Sequence, residues 1–78
     1  MLQLSIVIIT KNEAHNIVAC IRSAKKLGND VIVVDSGSED DTVLLAEACG
    51  ARVKHITWSS YGAARNAGAA LAKNDWIF

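Results

Sequence analysis

The chain has 78 residues, 51% of them hydrophobic, with eight basic and eight acidic side chains and no formal net charge. A disordered chain carries fewer apolar residues and more net charge, and a nucleic-acid surface carries a basic surplus, so both classes are excluded. A transmembrane helix needs roughly 18 consecutive apolar residues, and uninterrupted apolar runs such as Ile6 to Ile9 fall far short of that.

Leu4 to Thr10 is β-branched and almost wholly apolar, as a parallel strand covered on both faces is. Ala14 to Leu27 reads at helical spacing, with Ile17, Ile21, Ala24 and Leu27 in one stripe. Lysines in its last turn and Gly28-Asn29 close it. Val31 to Val34 is a second buried strand, ended by Asp35. Ser38 and Asp41 stand at capping-box spacing, which predicts a helix from about Glu39 to Cys49 with Leu44, Leu45 and Ala48 inward and Gly50 ending it. Arg52 to Ile56 is a third strand and Trp58 to Gly62 a polar-aromatic loop. Ala63 to Lys73 is an alanine-rich helix whose small face allows close approach to a sheet. Asn74-Asp75 breaks it, and Trp76 to Phe78 begins a fourth strand. The order β-α-β-α-β-α-β implies right-handed crossovers and a Rossmann-like three-layer α/β/α fold with a parallel sheet. Cys20 and Cys49 sit in helical patterns beside apolar neighbours, as reduced structural thiols of a cytoplasmic chain do. The N-terminus lacks the basic region and apolar core of a secretory signal.

In such sheets ligands bind at the carboxyl ends of the strands, which confines a site to Thr10–Glu13, Asp35–Ser38 and 58–65. The first loop has no glycine, so it is not the G-x-G-x-x-G of dinucleotide binding, and no P-loop occurs anywhere. Its hydroxyl, ammonium, amide and carboxylate suit a base edge or sugar hydroxyls; alternatively Asn12 or Glu13 only starts the helix. Asp35 can accept from ribose or base, or can cap its own turn at Gly37 and Ser38. Glu39, Asp40 and Asp41 would repel an anion at the start of the second helix. Arg65 can face solvent or meet a phosphate. Trp58 and Tyr61 can stack a ligand or cover a sheet edge, while His15 and His55 read as surface or packing residues.

Three segments coincide: S-I-V-I-I-T-K-N-E (Ser5 to Glu13), V-I-V-V-D-S-G-S-E-D-D-T (Val31 to Thr42) and G-A-A-R-N-A-G (Gly62 to Gly68). Together they resemble the N-terminal nucleotide-binding half of family 2 glycosyltransferases of the GT-A fold, and the T-K-N-E and D-S-G-S variants resemble the branch that builds lipopolysaccharide cores. The resemblance implies that residues 1–78 are the donor-nucleotide-binding part of a GT-A domain, a partial GT-A fold. It implies a nucleotide-sugar donor, usually UDP-linked, a divalent metal (Mg or Mn), and a glycan or lipid-linked acceptor in cell-envelope polysaccharide synthesis. By position in the motifs, Thr10, Asn12, Glu13, Asp35 and Arg65 are implied to contact the donor nucleotide. Many relatives carry an aromatic where this chain has Lys11, and a second aspartate where it has Ser36. The family's D-x-D motif, which holds the metal, follows the strand begun at Trp76. Neither the metal ligands nor a catalytic base is therefore expected within these residues, and the segment alone is expected to be inactive. A partial sheet also exposes an edge through which copies would self-associate. The competing expectation is a noncatalytic α/β module that binds a nucleotide or a protein.

Overall fold

Parallel strands and helices alternate along the chain as the periodicity predicts. The computed structural model describes residues 2–58, 60–73 and 76–77. The order is β1 (Leu2–Thr10), α1 (Ala14–Leu27), β2 (Gly28–Asp35), α2 (Thr42–Ala48), β3 (Arg52–His55), α3 (Tyr61–Leu71) and β4 (Trp76–Ile77). The strands lie in the order β3-β2-β1-β4, every described pair parallel. Thr10 stands opposite Asp35, and Asp35 opposite His55, so three strand ends align along one edge. The predicted break at Asn74-Asp75 and the end of the last strand at Phe78 lie outside the described residues.

Strand side chains alternate between faces, and each face has its own core. Ile6, Val31 and Val33 pack with Ile17, Ile21 and Ala24 of α1 and with Ala46 and Ala51. On the other face Ile32 and Val34 pack with Ala64 of α3, flanked by Val7, Ile9 and Ile56. The sheet is therefore the middle of three layers. Gly68 sets the distance of α3: a Cβ there would stand 2.4 Å from Val7 Cγ1 and 3.0 Å from Val34 Cγ2. The small face expected of this helix is thus a glycine contact as well as an alanine one.

Several local expectations are corrected. α2 begins at Thr42, not Glu39, and no side chain of its N-cap, Asp41, bonds the helix. Its buried positions are Thr42 and Ala46, with Leu45 and Cys49 partly buried. Leu44 is 66% exposed and Ala48 also faces solvent. In a helix, positions 42, 45, 46 and 49 form one stripe and 44 lies off it. Leu27 is likewise exposed. Gly28 does not terminate α1 in a left-handed turn; it is already extended at the start of β2. A Cβ on it would meet Leu4 O at 2.3 Å, so glycine is required there by close packing of β1. Gly50 ends α2 with φ +86, as expected of a glycine.

One device at the amino edge gave no sequence signal. The buried Asp30 carboxylate accepts from Ser5 Oγ at 2.8 Å, from Arg52 Nε at 3.2 Å and Nη2 at 3.1 Å, and from the Lys73 backbone N–H at 2.9 Å. Arg52 Nη2 also donates to Leu71 O. This single group ties β1, β2, β3 and the end of α3. Burial pushes the Asp30 pKa up, but the Lys73 amide, the Ser5 hydroxyl and the Arg52 guanidinium together outweigh it and hold it below the ordinary value.

Candidate functional site

At the carboxyl edge, Ile9, Thr10, Lys11, Glu13, Ser36 and Trp58 line an open cleft of about 430 Å³, within the usual size of a small-molecule site. It is built by crossings between the first two loops. Ser36 N donates to Thr10 O at 3.1 Å, and Ser36 Oγ donates to the same oxygen at 3.3 Å. Ile56 N donates to Asp35 O at 2.9 Å, which fixes the start of the third loop.

The five candidate residues are distributed unequally about this cleft. Thr10 lines it at the end of β1, 4% exposed, and its Oγ1 is buried with no hydrogen-bond partner among the described residues. Glu13 lines it with a carboxylate about half exposed, 4.0 Å from His15 Nε2. Asn12 stands beside the cleft with φ +54, a left-handed conformation that asparagine tolerates. Its Oδ1 accepts from Glu39 N at 2.8 Å, and its own N–H donates to Ser38 Oγ at 2.8 Å. Its polar groups therefore join loop to loop. Asp35 is 1% exposed. Its Oδ2 accepts from Gly37 N at 3.1 Å and Ser38 N at 2.9 Å, and Oδ1 from Ser38 Oγ. That carboxylate sits under the turn, and Ser38, engaged here, does not cap α2. Arg65 is exposed on α3 and borders a neighbouring groove of about 390 Å³ along β1, with Ile6, Val7 and Ile8. The cleft thus gathers Thr10 and Glu13, keeps Asn12 and Asp35 as supports, and leaves Arg65 outside.

The second loop also occupies the start of α1. Glu13 N donates to Thr42 Oγ1 at 2.8 Å, and Ala14 N to Asp40 Oδ2 at 3.3 Å. Asp40 Oδ1 accepts in turn from Thr42 N at 3.0 Å and from Thr42 Oγ1. The Thr42 hydroxyl bond, reinforced by the Thr42 and Ala14 amides against some desolvation, lowers the Asp40 pKa. A carboxylate thus sits where dinucleotide folds hold a pyrophosphate, and it would repel one. The acidic run keeps phosphate from α1 as well as from α2.

Lys11, Ser36 and Trp58 complete the cleft. Sequence reasoning set Lys11 and Ser36 aside as departures from a pattern and left Trp58 undecided, because only the fold shows that the third loop returns to the first. Among the described residues no group of three His, Cys, Asp or Glu side chains is placed to hold a metal ion. Asp35 and Asp40 already accept hydrogen bonds on both oxygens. The described residues of this cleft do not fit a metal centre.

Residues 5–78 match the sequence model of "Glycosyl transferase family 2". An uncharacterized glycosyltransferase of Rickettsia felis is 47% identical over 77 residues, which is 99% of this chain and 27% of the relative. One of Rickettsia bellii is 45% identical over 75 residues, 96% of this chain and 26% of the relative. Among solved structures, glucosyl-3-phosphoglycerate synthase from Mycobacterium tuberculosis with uridine diphosphate (UDP) superposes with a TM-score of 0.82 and 31% identity, over 96% of this chain and 31% of that one. The same enzyme with Mn2+, UDP-glucose and phosphoglyceric acid gives 0.81 with the same identity and coverage. This chain spans about a quarter of the length of the curated relatives it matches.

Proposed function

The chain belongs to glycosyl transferase family 2, and on that premise we propose that its carboxyl-edge cleft receives the nucleotide of a nucleotide-sugar donor, UDP-linked, as the donor-binding part of a GT-A glycosyltransferase domain. The observation that carries the reading is the Thr10 hydroxyl, buried and without a partner among the described residues, in a cleft otherwise lined by ammonium, carboxylate, hydroxyl, indole and the apolar Ile9. Such a group calls for a polar ligand atom. The similar enzyme bound to UDP supports the choice of ligand.

In this reading Thr10 and Glu13 meet base and ribose, and Asn12 and Asp35 act through the loops they hold. Arg65 meets the donor where the diphosphate leaves the cleft along β1. The parent activity is sugar transfer to a glycan or lipid-linked acceptor, and the T-K-N-E and D-S-G-S variants support one in cell-envelope or lipopolysaccharide synthesis at the cytoplasmic side. A divalent metal would draw its ligands from elsewhere in such a protein. The segment alone binds donor nucleotide without turnover.

Titration of the 15N-labelled chain with UDP tests this. Shift changes at Thr10, Lys11, Glu13 and the Trp58 indole are expected. Shifts confined to other surfaces, or none at millimolar UDP, would overturn it.

A further inference from the structure

We infer that Lys11 binds the phosphates of the donor, supplying a positive charge that the backbone of this cleft does not. The inference rests on the donor-nucleotide reading above and says what holds the diphosphate inside the cleft. Among the described residues that line the cleft, Lys11 alone is cationic. Ser59 and the Tyr61 side chain lie outside the description, but neither residue type is a cation. Lys11 is exposed, and its ammonium makes no hydrogen bond or ion pair among the described residues. Other basic groups are engaged or placed elsewhere. Arg52 bonds Asp30 at the amino edge, Lys25 donates to Cys49 O, and Arg65 borders the neighbouring groove.

A side chain has to do this work because the usual alternative is closed. Phosphates at strand-to-helix turns are commonly met by free backbone amides. Here Glu13 N and Ala14 N donate to Thr42 Oγ1 and Asp40 Oδ2 at the start of α1. Gly37 N and Ser38 N both donate to Asp35, and Ser36 N donates to Thr10 O. The same two loops, residues 10–13 and 35–41, carry five carboxylates and one base, Lys11. Without that base their field would oppose a diphosphate. An ammonium on a flexible stem meets phosphate as a point charge, and Lys11 gives up no ion pair to do so. It also follows Thr10 directly, so the charge lies within a nucleotide's length of the hydroxyl assigned to base and ribose.

The test compares UDP with uridine, by NMR titration without divalent metal, on the unaltered chain, Lys11→Ala, Lys11→Gln and Lys11→Arg. UDP affinity should weaken by roughly tenfold to a hundredfold in Lys11→Ala and Lys11→Gln. Lys11→Arg should keep most of it, and uridine should bind all four chains alike. Undiminished UDP affinity in Lys11→Ala overturns the phosphate role and leaves the donor reading intact. So does an equal loss for UDP and uridine, which would place Lys11 on the base or ribose. Failure of the unaltered chain to bind UDP overturns both readings. If Lys11→Ala does not fold, Lys11→Gln, similar in length and neutral, decides.

Discussion

A buried hydroxyl without a partner costs about 1–3 kcal/mol, and among the described residues Thr10 carries one beside the cleft. Thr10→Val keeps shape and removes the polar atom. Its thermal midpoint should equal or exceed that of the unaltered chain, while UDP affinity falls by about tenfold; a loss of stability with unchanged affinity would contradict the assignment. Asp30 is the opposite case, a buried carboxylate with four hydrogen bonds. Asp30→Ala strands Arg52, Ser5 and the Lys73 amide, and should cost about 3–5 kcal/mol in urea unfolding. The sign with pH follows from its lowered pKa. The group contributes fully above the unfolded value of about 3.9, and that contribution is lost as pH falls through the lower folded value. Stability measured from pH 6 downward should therefore drop below about pH 4 more steeply in the unaltered chain than in Asp30→Asn.

Among the elements, α3 is set by a close contact. Gly68→Ala pushes a methyl into Val7 and Val34, and overpacking of this kind costs about 1–3 kcal/mol. A lower urea midpoint with unchanged slope is the expected result. The order of elements and both bounds of α1 were legible because a 14-residue amphipathic stripe and two β-branched runs leave little ambiguity. α2 was less legible. With seven residues it has room for about two turns, and its inward face is chosen by Thr42, whose hydroxyl bonds Glu13 N. Leu44 looked like core from its side chain alone. At the site, the loops that carry it could be read from strand ends. Which side chains enter the cleft could not, because the Asp35 turn, the Asn12 link and the placement of Arg65 are made by contacts more than 20 residues apart or by turn geometry.

For the whole molecule, the decisive feature is the outer edge of β1. β4 covers it at Leu4 and Ser5, and among the described residues nothing pairs with it from Ile6 to Thr10 on that side. An open parallel edge is a template for another strand. In the 78-residue chain, sedimentation velocity should show association that grows with concentration; a single monomeric species at every concentration would argue against it.

The capping of α1 by the second loop has a dynamic consequence. The amides of Asn12, Glu13 and Ala14 are held by Ser38, Thr42 and Asp40, side chains that arrive 26 to 29 residues later in the chain. Their hydrogen exchange reports the opening of a neighbouring loop and not the fraying of their own helix. Synthesis from the N-terminus would leave α1 uncapped until β2 and the following turn have docked. A ligand resting on Thr10 and Ser36 would then slow exchange at these three amides, although it touches none of their hydrogen atoms.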